Sequence, residues 1–266
     1  MLHALPLSFF SRDLYLDVGR NWRGAGLLYL LFVVALATAL IVIHMQVALL
    51  RWSHGDASQM VSQIPSIQIR HGIVHVDRAT PYFIRNPNND SVVAVIDTSG
   101  SIGSLEGSGA MVLLTRDHLF MRKSGAETRV FDLSRVDNFS VDRARAAGWL
   151  RALATWLAIV CAPFILAGLY AFRLIQQLIG AVIGWLIGSA SGVSLDFEAR
   201  MRLTAIALTP ALVVEMALTE MHATPSSWGL LWTAITVGYL VIAIRSNREG
   251  MDAAPAVEPQ APSAPQ

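Results

Sequence analysis

The side chains best suited to chemistry follow a short apolar segment in the first half of the chain. Residues 92–96 are Val-Val-Ala-Val-Ile, and Asp97, Ser99 and Ser101 come directly after this segment. One carboxylate and two hydroxyls at alternate positions supply the oxygen ligands that Mg²⁺ prefers in proteins. The spacing therefore raises the hypothesis of a metal site where a buried strand ends.

An apolar strand followed by Asp-x-Ser-x-Ser resembles the metal-ion-dependent adhesion site of von Willebrand factor A domains. That resemblance implies a doubly wound α/β domain with a distant Thr and Asp that complete the site. The residues after Ser101 favour further strands instead of alternating strands and helices. We therefore reject a metal site at Asp97, Ser99 and Ser101, and expect a polar turn in which Asp97 and Thr98 bond backbone amides.

Two other motifs suggest catalysis or metal binding, and neither is complete. Asp97-Thr98 begins the Asp-Thr-Gly signature of aspartic proteases, but Ser99 interrupts it and no second copy supplies the other carboxylate of the pair. His71 and His75 have a zinc-ligand spacing for a helix, but Gly72 and the alternating residues around it favour a hairpin. Since no nucleophile and base stand out, we expect a non-enzymatic protein with no metal or cofactor.

The elements that carry these residues are divided between a membrane and a folded domain. Of the 266 residues, 54% are hydrophobic and 15% charged, whereas soluble domains carry about 25% charged residues. No Asp, Glu, Lys or Arg occurs in residues 24–50, 152–172 or 174–195. Each run reaches the roughly 20 apolar residues that a membrane helix needs. The lipid bilayer is therefore the first predicted partner, and a net charge of +1 argues against nucleic acid.

The predicted fold class is a membrane protein: an α-helical transmembrane bundle of about five segments, with a small β-rich extracytoplasmic domain inserted after the first helix. The first helix covers residues 24–50 and the β domain residues 53–145. Residues 149–245 form the rest of the bundle, with segments at about 150–172, 174–194, 203–221 and 226–244. Residues 246–266 are predicted to be a disordered tail, because Pro, Ala and Gln there can bury little apolar surface.

Basic residues predict the orientation and leave the number of crossings open. Arg12, Arg20 and Arg23 precede the first apolar run, which places residues 1–23 in the cytoplasm by the positive-inside rule. The β domain then lies outside the cytoplasmic membrane of a bacterium. Five crossings place the arginines at 200, 202, 245 and 248 outside, whereas a single crossing by residues 152–195 places them inside. We favour five, because one helix of that length is about twice the hydrocarbon thickness.

Local patterns predict the elements on both sides of the first membrane helix. Residues 8–23 suit an amphipathic interfacial helix with Ser8 as its N-cap and one apolar face, formed by Phe10, Leu14, Val18 and Trp22. In the β domain, Ile67 and Ile69 alternate with polar residues, and His71-Gly72 suits a hairpin turn before residues 73–77. A strand buried on both faces is predicted at 92–96, with further strands at 111–114, 119–122 and 128–133.

Two features of the predicted bundle point to specific contacts. Gly180, Gly184, Gly188 and Gly192 recur every four residues, which lets another helix, of this chain or of a second copy, approach closely. Glu215 lies near the middle of an apolar segment, where a carboxylate needs a partner. Pro210 bends that helix, and His44 of the first span is a candidate partner for Glu215. These residues form the candidate intramembrane polar site.

Several short motifs resemble, in their order, the bacterial membrane proteins grouped as domain-of-unknown-function family 1189. The motifs are Ser-Phe-Phe-Ser at 8–11, Tyr-x-Asp-Val-x-Arg-x-Trp-x-Gly-x-Gly at 15–26, Pro-Tyr-Phe-Ile at 81–84, Val-Ile-Asp-Thr-x-Gly at 95–100, Phe-Asp-Leu at 131–133 and Ala-Leu-Thr-Pro-Ala at 207–211. The resemblance covers roughly residues 5–245. In its membrane half the family is similar to Yip-type five-helix proteins, which implies five segments and a non-enzymatic role in membrane organisation.

Two functions remain open from the sequence. In the first, a non-enzymatic inner-membrane protein anchors a β domain that binds an envelope partner or ligand, or organises other membrane proteins, with self-association through the glycine-lined helix as an option. In the second, the protein is a transporter or transport accessory that uses Glu215 inside the membrane. A hydrolase is the least favoured class, because no catalytic constellation stands out.

Overall fold

The computed structural model describes residues 3–252, with the exception of residues 25, 107, 125, 126, 222 and 224. Most of the predicted tail, from residue 253 onward, lies outside the described residues. The chain divides into two compact units, Met1–Ile41 with Ala162–Gln266 and Val42–Cys161. We call them the helical unit and the β-containing unit, and describe each by itself.

Seven helices are described: α1 (Ala4–Phe10), α2 (Arg12–Arg20), α3 (Leu27–His54), α4 (Asp56–Ser62), α5 (Arg143–Ser191), α6 (Phe197–Glu220) and α7 (Trp228–Asp252). Among the described residues, α3, α5, α6 and α7 are long and apolar enough to cross a membrane. This agrees with the predicted membrane protein, although the number of crossings stays a prediction.

The structure differs from the prediction at Arg173. The two segments predicted at 150–172 and 174–194 lie in one continuous helix, α5, of 49 residues. Arg173 does not interrupt the helix because its guanidinium is only 9% exposed and has a carboxylate partner, described below. A charged side chain that is paired inside the protein does not have to lie in a loop.

The centre of the helical unit is α6. Residues from Met201 to Leu212 are buried without a break, so the helix contacts protein on all its faces over about three turns. Its core partners include Tyr29 and Leu30 of α3, Val18 of α2 and Ala243 of α7. The buried part of α6 includes the small residues Ala205, Ala207 and Ala211, which let neighbouring helices approach closely.

The N-terminal helices correct the predicted interfacial helix. Residues 8–23 form parts of two helices, and Ser11 caps α2 by accepting a hydrogen bond from the amide of Leu14. Ser8 is not the cap, because it is buried inside α1 and donates to the Leu5 carbonyl. Tyr15 and Val18 of α2 are buried, and α2 packs against α6 and α7. The apolar face of α2 is therefore covered by protein and not by lipid.

The β-containing unit holds a five-stranded sheet in the order β3-β4-β5-β6-β7. Its strands are Tyr82–Arg85, Val92–Asp97, Val112–Thr115, His118–Arg122 and Thr128–Asp132. Each strand pairs antiparallel with its neighbour except β4 and β5, which run parallel. The strands predicted at 92–96, 111–114, 119–122 and 128–133 are thus confirmed within one residue at most ends.

A three-stranded sheet, in the order β2-β1-β8, contributes the second layer. It consists of β1 (Ile67–Arg70), β2 (Ile73–Val76) and β8 (Asn138–Val141). The predicted hairpin at His71-Gly72 is confirmed, with φ values of 48° and 80° at the two turn residues. The two sheets meet in a core that includes Ile69, Val74, Leu114, Leu119 and Leu133.

A long connection covers the opposite face of the five-stranded sheet. Parallel strands need a crossover of about a dozen residues or more, which is usually a helix. Here residues 98–111 link β4 to β5, and the described part of this crossover loop contains no helix. Ile102, Leu105 and Ala110 of the loop pack against Val95 and Leu113. The crossover loop therefore takes the place in the core that a helix fills in doubly wound folds.

Candidate functional site

Asp97 organises the start of the crossover loop. Its side chain is fully buried. One carboxylate oxygen accepts from the amide and the hydroxyl of Ser99, at 2.8 and 2.5 Å, and the other accepts from the amide of Ile102 at 2.6 Å. Burial raises the pKa of Asp97, but these hydrogen bonds outweigh burial and hold the pKa below its usual value.

The turn after β4 confirms part of the sequence-based expectation. Asp97 does bond backbone amides, whereas the hydroxyl of Thr98 lies 3.2 Å from the hydroxyl of Thr80 and not against an amide. Ser99 and Ser101 are joined by a hydrogen bond of 2.8 Å between their hydroxyls. The three residues of the Asp-x-Ser-x-Ser motif thus bond to one another and to the loop.

A cleft of about 330 Å³ lies at the ends of β4 and β5. Because these strands are parallel, their carboxyl ends reach the same edge of the sheet, the place where open α/β sheets bind ligands. The lining residues are Asp97, Thr98, Ser99, Gly100, Ile102, Gly103, Thr115, Arg116, Asp117, His118 and Phe120. The sheet thus brings the motif after β4 together with a second polar group after β5, which the sequence analysis did not single out. We call it the strand-end cleft.

The second polar group is centred on His118. Its Nδ1–H donates to Asp117 at 2.8 Å, and its backbone amide donates to the Thr115 hydroxyl at 3.1 Å. The hydrogen bond from His118 lowers the pKa of Asp117, and the same bond raises the pKa of His118 above its ordinary value. Asp132 adds to the rise through its negative charge. The strand-end cleft therefore carries a histidine that keeps its positive charge to a higher pH than an ordinary histidine does.

Other predicted ligand positions do not converge. His71 lies in the β1–β2 turn, and His75 lies on β2 opposite Gln68, so they do not share a helix face. Within the described ranges, no group of three or more His, Cys, Asp or Glu side chains is arranged to hold a metal ion.

In the helical unit, Glu215 of α6 meets Arg173 of α5, with 2.7 Å between Oε2 and Nη2. Arg173, which was not the predicted partner, thus pairs with Glu215, and the assignment of His44 to Glu215 stays a prediction. A second hydrogen bond holds Arg173 to Gln176 at 2.7 Å, and its guanidinium lies 5.2 Å from the ring centre of Trp232 on α7. These contacts join three helices around one neutralised ion pair.

Pro210 lies within α6, directly after Thr209, whose hydroxyl belongs to a chain of hydrogen bonds. The Thr209 hydroxyl donates to the Ala205 carbonyl at 3.2 Å and lies 2.9 Å from the Tyr29 hydroxyl. Because Thr209 has one hydroxyl hydrogen and uses it on Ala205, Tyr29 is the donor between the two hydroxyls. This chain links α3 to α6 next to the position where proline removes a backbone donor.

The glycine run has three different surroundings. A Cβ at Gly180 would collide with the Thr204 side chain of α6, and one at Gly184 would lie 3.7 Å from Ile244 of α7. Gly188 faces the carbonyl of Val193 in the following loop, and Gly192 lies beyond the end of α5 with φ of 70°. The contacts of Gly180 and Gly184 are therefore with helices of the same chain.

The strongest polar contact of the helical unit was missed by the sequence analysis. Arg202, only 6% exposed, donates to the carbonyls of Val18, Gly19 and Gly24 at 3.0, 3.1 and 2.9 Å. Val18 and Gly19 lie in the last turn of α2, where carbonyls lack intrahelical partners and a cation is favourable. Asn247 of α7 adds a hydrogen bond of 3.0 Å to the Tyr15 carbonyl. We call Arg202 and Asn247 the α2 clamp.

The loop before α3 also fits closely against the clamp. Gly26 has φ of 72°, and a Cβ there would lie 3.1 Å from the Cα of Arg202. Both the left-handed backbone and the close approach require glycine at this position. The Tyr-to-Gly motif at 15–26 thus includes residues that Arg202 and Asn247 bind.

Comparison with known protein families gives one match that covers most of the chain. A family model described as "Protein of unknown function (DUF1189)" matches residues 2–244. The chain belongs to the DUF1189 family. The family predicted from the ordered motifs is therefore confirmed.

An uncharacterized protein of Rickettsia prowazekii (strain Madrid E) is 25% identical over 130 residues. The aligned part is 45% of this chain and 45% of that protein, so the match spans less than half of each. No solved structure matches the DUF1189 chain.

Proposed function

We propose that this DUF1189 protein is a non-enzymatic, membrane-anchored binding protein of the bacterial inner membrane. Its helices hold the β-containing unit outside the cytoplasm, and the strand-end cleft binds an envelope partner or ligand. The observation that carries the proposal is the convergence of two polar loops, 97–103 and 115–118, on one cleft of about 330 Å³. Clefts of this size with a few converging polar groups are the usual form of a binding site.

The chemistry of the cleft favours binding over catalysis. The Asp97 carboxylate is occupied by loop donors, and the Asp117 carboxylate is occupied by His118. Arg116 and His118 supply positive charge, and the hydroxyl of Thr98 supplies a neutral hydrogen bond at the same cleft. We therefore expect a ligand or partner segment that carries negative charge and hydrogen-bond acceptors.

The α2 clamp supports an orientation with four crossings. Arg202 near the start of α6 and Asn247 near the end of α7 both contact α2. The arginines before α3, at the start of α6 and at the end of α7 are thereby gathered at one end of the helical unit. By the positive-inside rule, one such end belongs in the cytoplasm. This argument favours four crossings with both ends of the chain inside, instead of the five that we favoured from the sequence.

The transport alternative has weaker support. Glu215 is paired with Arg173, and Arg173 is further held by Gln176 and Trp232. A carboxylate that carries protons during transport needs to exchange between charged and neutral forms, which a fixed cation opposes. The ion pair is better suited to joining α5, α6 and α7.

Photocrosslinking in living cells tests the proposed binding site. A photoreactive amino acid is placed at Thr98 or Arg116, which line the cleft, and at His75 or Arg129, which do not. We expect an adduct from the first two positions only, and its loss when His118→Ala is added. Equal adducts from all four positions, or none from the cleft positions, would contradict the proposal.

Reporter fusions test the orientation separately. Alkaline phosphatase, which is active only outside the cytoplasm, is fused after Leu50, Glu220 or Arg248, and the activities of the three fusions are compared. Activity after Leu50 and Glu220 and none after Arg248 is expected for four crossings. Activity after Arg248 would support five crossings and contradict the orientation.

A further inference from the structure

A second cavity of the β-containing unit lies next to the apolar helices. Its volume is about 310 Å³, and it is bounded by the end of α3, by α4 and by the first turns of α5. Its polar lining consists of Arg143, Arg151, His54 and the hydroxyls of Ser53, Ser58 and Ser62. Val61, Ala147 and Leu150 form an apolar wall. We call it the junction cavity.

The charged side chains that line the junction cavity are all basic. Its lining includes two arginines and no Asp or Glu. Among the described residues, neither Arg143 nor Arg151 has a carboxylate within ion-pair distance, and Arg151 makes only a hydrogen bond of 3.4 Å to the Ala147 carbonyl of its own helix. By contrast Arg145, between them in sequence, donates to the carbonyl and hydroxyl of Ser140. The hydroxyls of Ser53 and Ser62 donate to carbonyls of their own helices. Two guanidinium groups without a carboxylate partner, beside the Ser58 hydroxyl, are suited to bind the oxygens of a phosphate.

The position of the cavity indicates a lipid as the source of that phosphate. Trp52 at the end of α3 and Trp149 and Trp156 in the first turns of α5 are exposed. Tryptophans at the ends of membrane helices lie at the depth of the lipid headgroups. α3 and α5 are held together here by a hydrogen bond of 2.8 Å from Gln46 to the Ala154 carbonyl. The cavity thus combines cations, hydroxyls and an apolar wall at headgroup depth.

We propose that the junction cavity binds the phosphate of an anionic phospholipid headgroup, with Arg143 and Arg151 as the charged ligands and Ser58 as a hydrogen-bond donor. The acyl chains pass along the apolar wall toward the bilayer. Bound lipid then fixes the last turn of α3 against the first turns of α5, beneath the β sheets. This site is separate from the strand-end cleft and does not depend on the function proposed for it.

Native mass spectrometry of the full-length protein tests the site. Phosphatidylglycerol or zwitterionic phosphatidylcholine is added to the protein in detergent. The detergent is then removed in the mass spectrometer, and the lipid that stays bound is measured. We expect retained phosphatidylglycerol on the wild type, and roughly tenfold or greater loss of that adduct in Arg143→Gln/Arg151→Gln, since hydrogen bonds to charged groups contribute at least that much each. Arg129→Gln/Arg135→Gln removes the same charge from exposed positions of the same unit and should keep the adduct.

Further measurements separate the other outcomes. Ser58→Leu keeps both arginines but fills the cavity, and should also lose the adduct even if the double arginine variant does not fold. An unchanged phosphatidylglycerol adduct in either variant would overturn the proposal. A free phosphate source is tested with millimolar inorganic phosphate in the absence of lipid. A phosphate adduct that depends on the arginines, without any phosphatidylglycerol adduct, would show a soluble anion as the ligand and overturn the lipid assignment.

Discussion

Arg173 of α5 and Glu215 of α6 form an ion pair with 2.7 Å between the guanidinium and the carboxylate. The pair lies between helices that are long and apolar enough to cross a membrane. Such a pair is tolerated in an apolar environment only while both members are present. Substituting one member should therefore lower the free energy of unfolding more than substituting both.

The first prediction concerns this pair. Arg173→Gln and Glu215→Gln should each lower the free energy of unfolding by roughly 2–4 kcal/mol, because each leaves an uncompensated charge. The double variant should lose less than either single variant, because no unpaired charge remains and the two amides can bond each other. Thermal unfolding in detergent measures the three variants. Additive losses would show that the two charges do not interact.

A second prediction concerns the α2 clamp. Arg202→Gln should remove hydrogen bonds to three carbonyls and cost about 3 kcal/mol, so that α1 and α2 detach from the helical unit. Trypsin should then cleave after Arg20 and Arg23 much faster than in the wild type. Arg200→Gln is the matched control, since Arg200 is on the same helix but, among the described residues, its side chain contacts the Asp196 carbonyl and the Phe197 ring and not α2. Similar cleavage in both variants would argue against the clamp.

The glycine run gives a third prediction. Gly180→Ala should destabilise the helical unit by about 1–3 kcal/mol, because the added methyl collides with Thr204. Thr204→Ser removes the colliding methyl and keeps the hydroxyl that donates to the Arg200 carbonyl. It should therefore restore most of the loss in the double variant.

Gly168 of the same helix is the control for Gly180. A Cβ at Gly168 meets nothing within 4 Å, so Gly168→Ala should be neutral or stabilise the helix by up to about 1 kcal/mol. Both substitutions are compared by thermal unfolding. Equal effects at the two positions would contradict a specific contact at Gly180.

Asp97 supports a fourth prediction, on the β-containing unit. Asp97→Asn leaves at least one loop donor without its acceptor, and should reduce the stability of this unit by roughly 2–4 kcal/mol. Since the pKa of Asp97 is lowered in the folded state, its contribution is present above the ordinary pKa of about 4 and is lost as the pH falls through the lower folded value. Hydrogen exchange of β4 and β5 measures the difference.

The difference between wild type and Asp97→Asn should therefore disappear in acid. Asp90→Asn is the control, because Asp90 is exposed and pairs with Arg85 at the surface, where ion pairs contribute little. An acid-independent effect of Asp97→Asn would mean that the carboxylate charge is not what holds the loop.

The fifth prediction is the titration of His118. Its pKa is raised by the hydrogen bond to Asp117, so its contribution is complete below the ordinary histidine pKa of about 6.5 and is lost as the pH rises through the higher folded value. Asp117→Asn should shift the midpoint of the His118 NMR signal downward. An unchanged midpoint would contradict the Asp117–His118 contact. Cleft adducts that weaken as the pH rises would further connect the His118 charge to binding.

Much of the local structure could be predicted from the sequence. Alternating residues and the His71-Gly72 turn predicted β1 and β2, because strand periodicity and left-handed turn residues are local signals. The uncharged runs predicted the apolar helices for a similar reason. The parallel pairing of β4 and β5 was not predicted, because the described part of the crossover loop contains no helix, which is the usual sign of such a pairing. The strand-end cleft depends on that pairing and was missed with it.

Long-range partners account for the remaining differences. Arg173 marked a helix end in the sequence, but its carboxylate partner lies 42 residues away. Arg202 was taken as a topology signal, and its acceptors lie 178 to 184 residues away in the chain. No local pattern reveals that a given arginine will be buried against backbone carbonyls. The amphipathic pattern of residues 8–23 was correct only in part. Val18 is buried in α2, whereas Phe10 lies in α1 and is exposed, and the sequence alone did not show that protein would cover Val18.

The contacts of α2 also set the order in which the molecule can be completed. The ribosome makes the carbonyls of Tyr15 and Val18 well before it makes their donors, Asn247 and Arg202. During synthesis α2 therefore lacks its contacts with α6 and α7 until these two helices have been made. A nascent chain that stops before Asn247 therefore leaves the Tyr15 carbonyl of α2 without this donor, and a quality-control protease can cleave there.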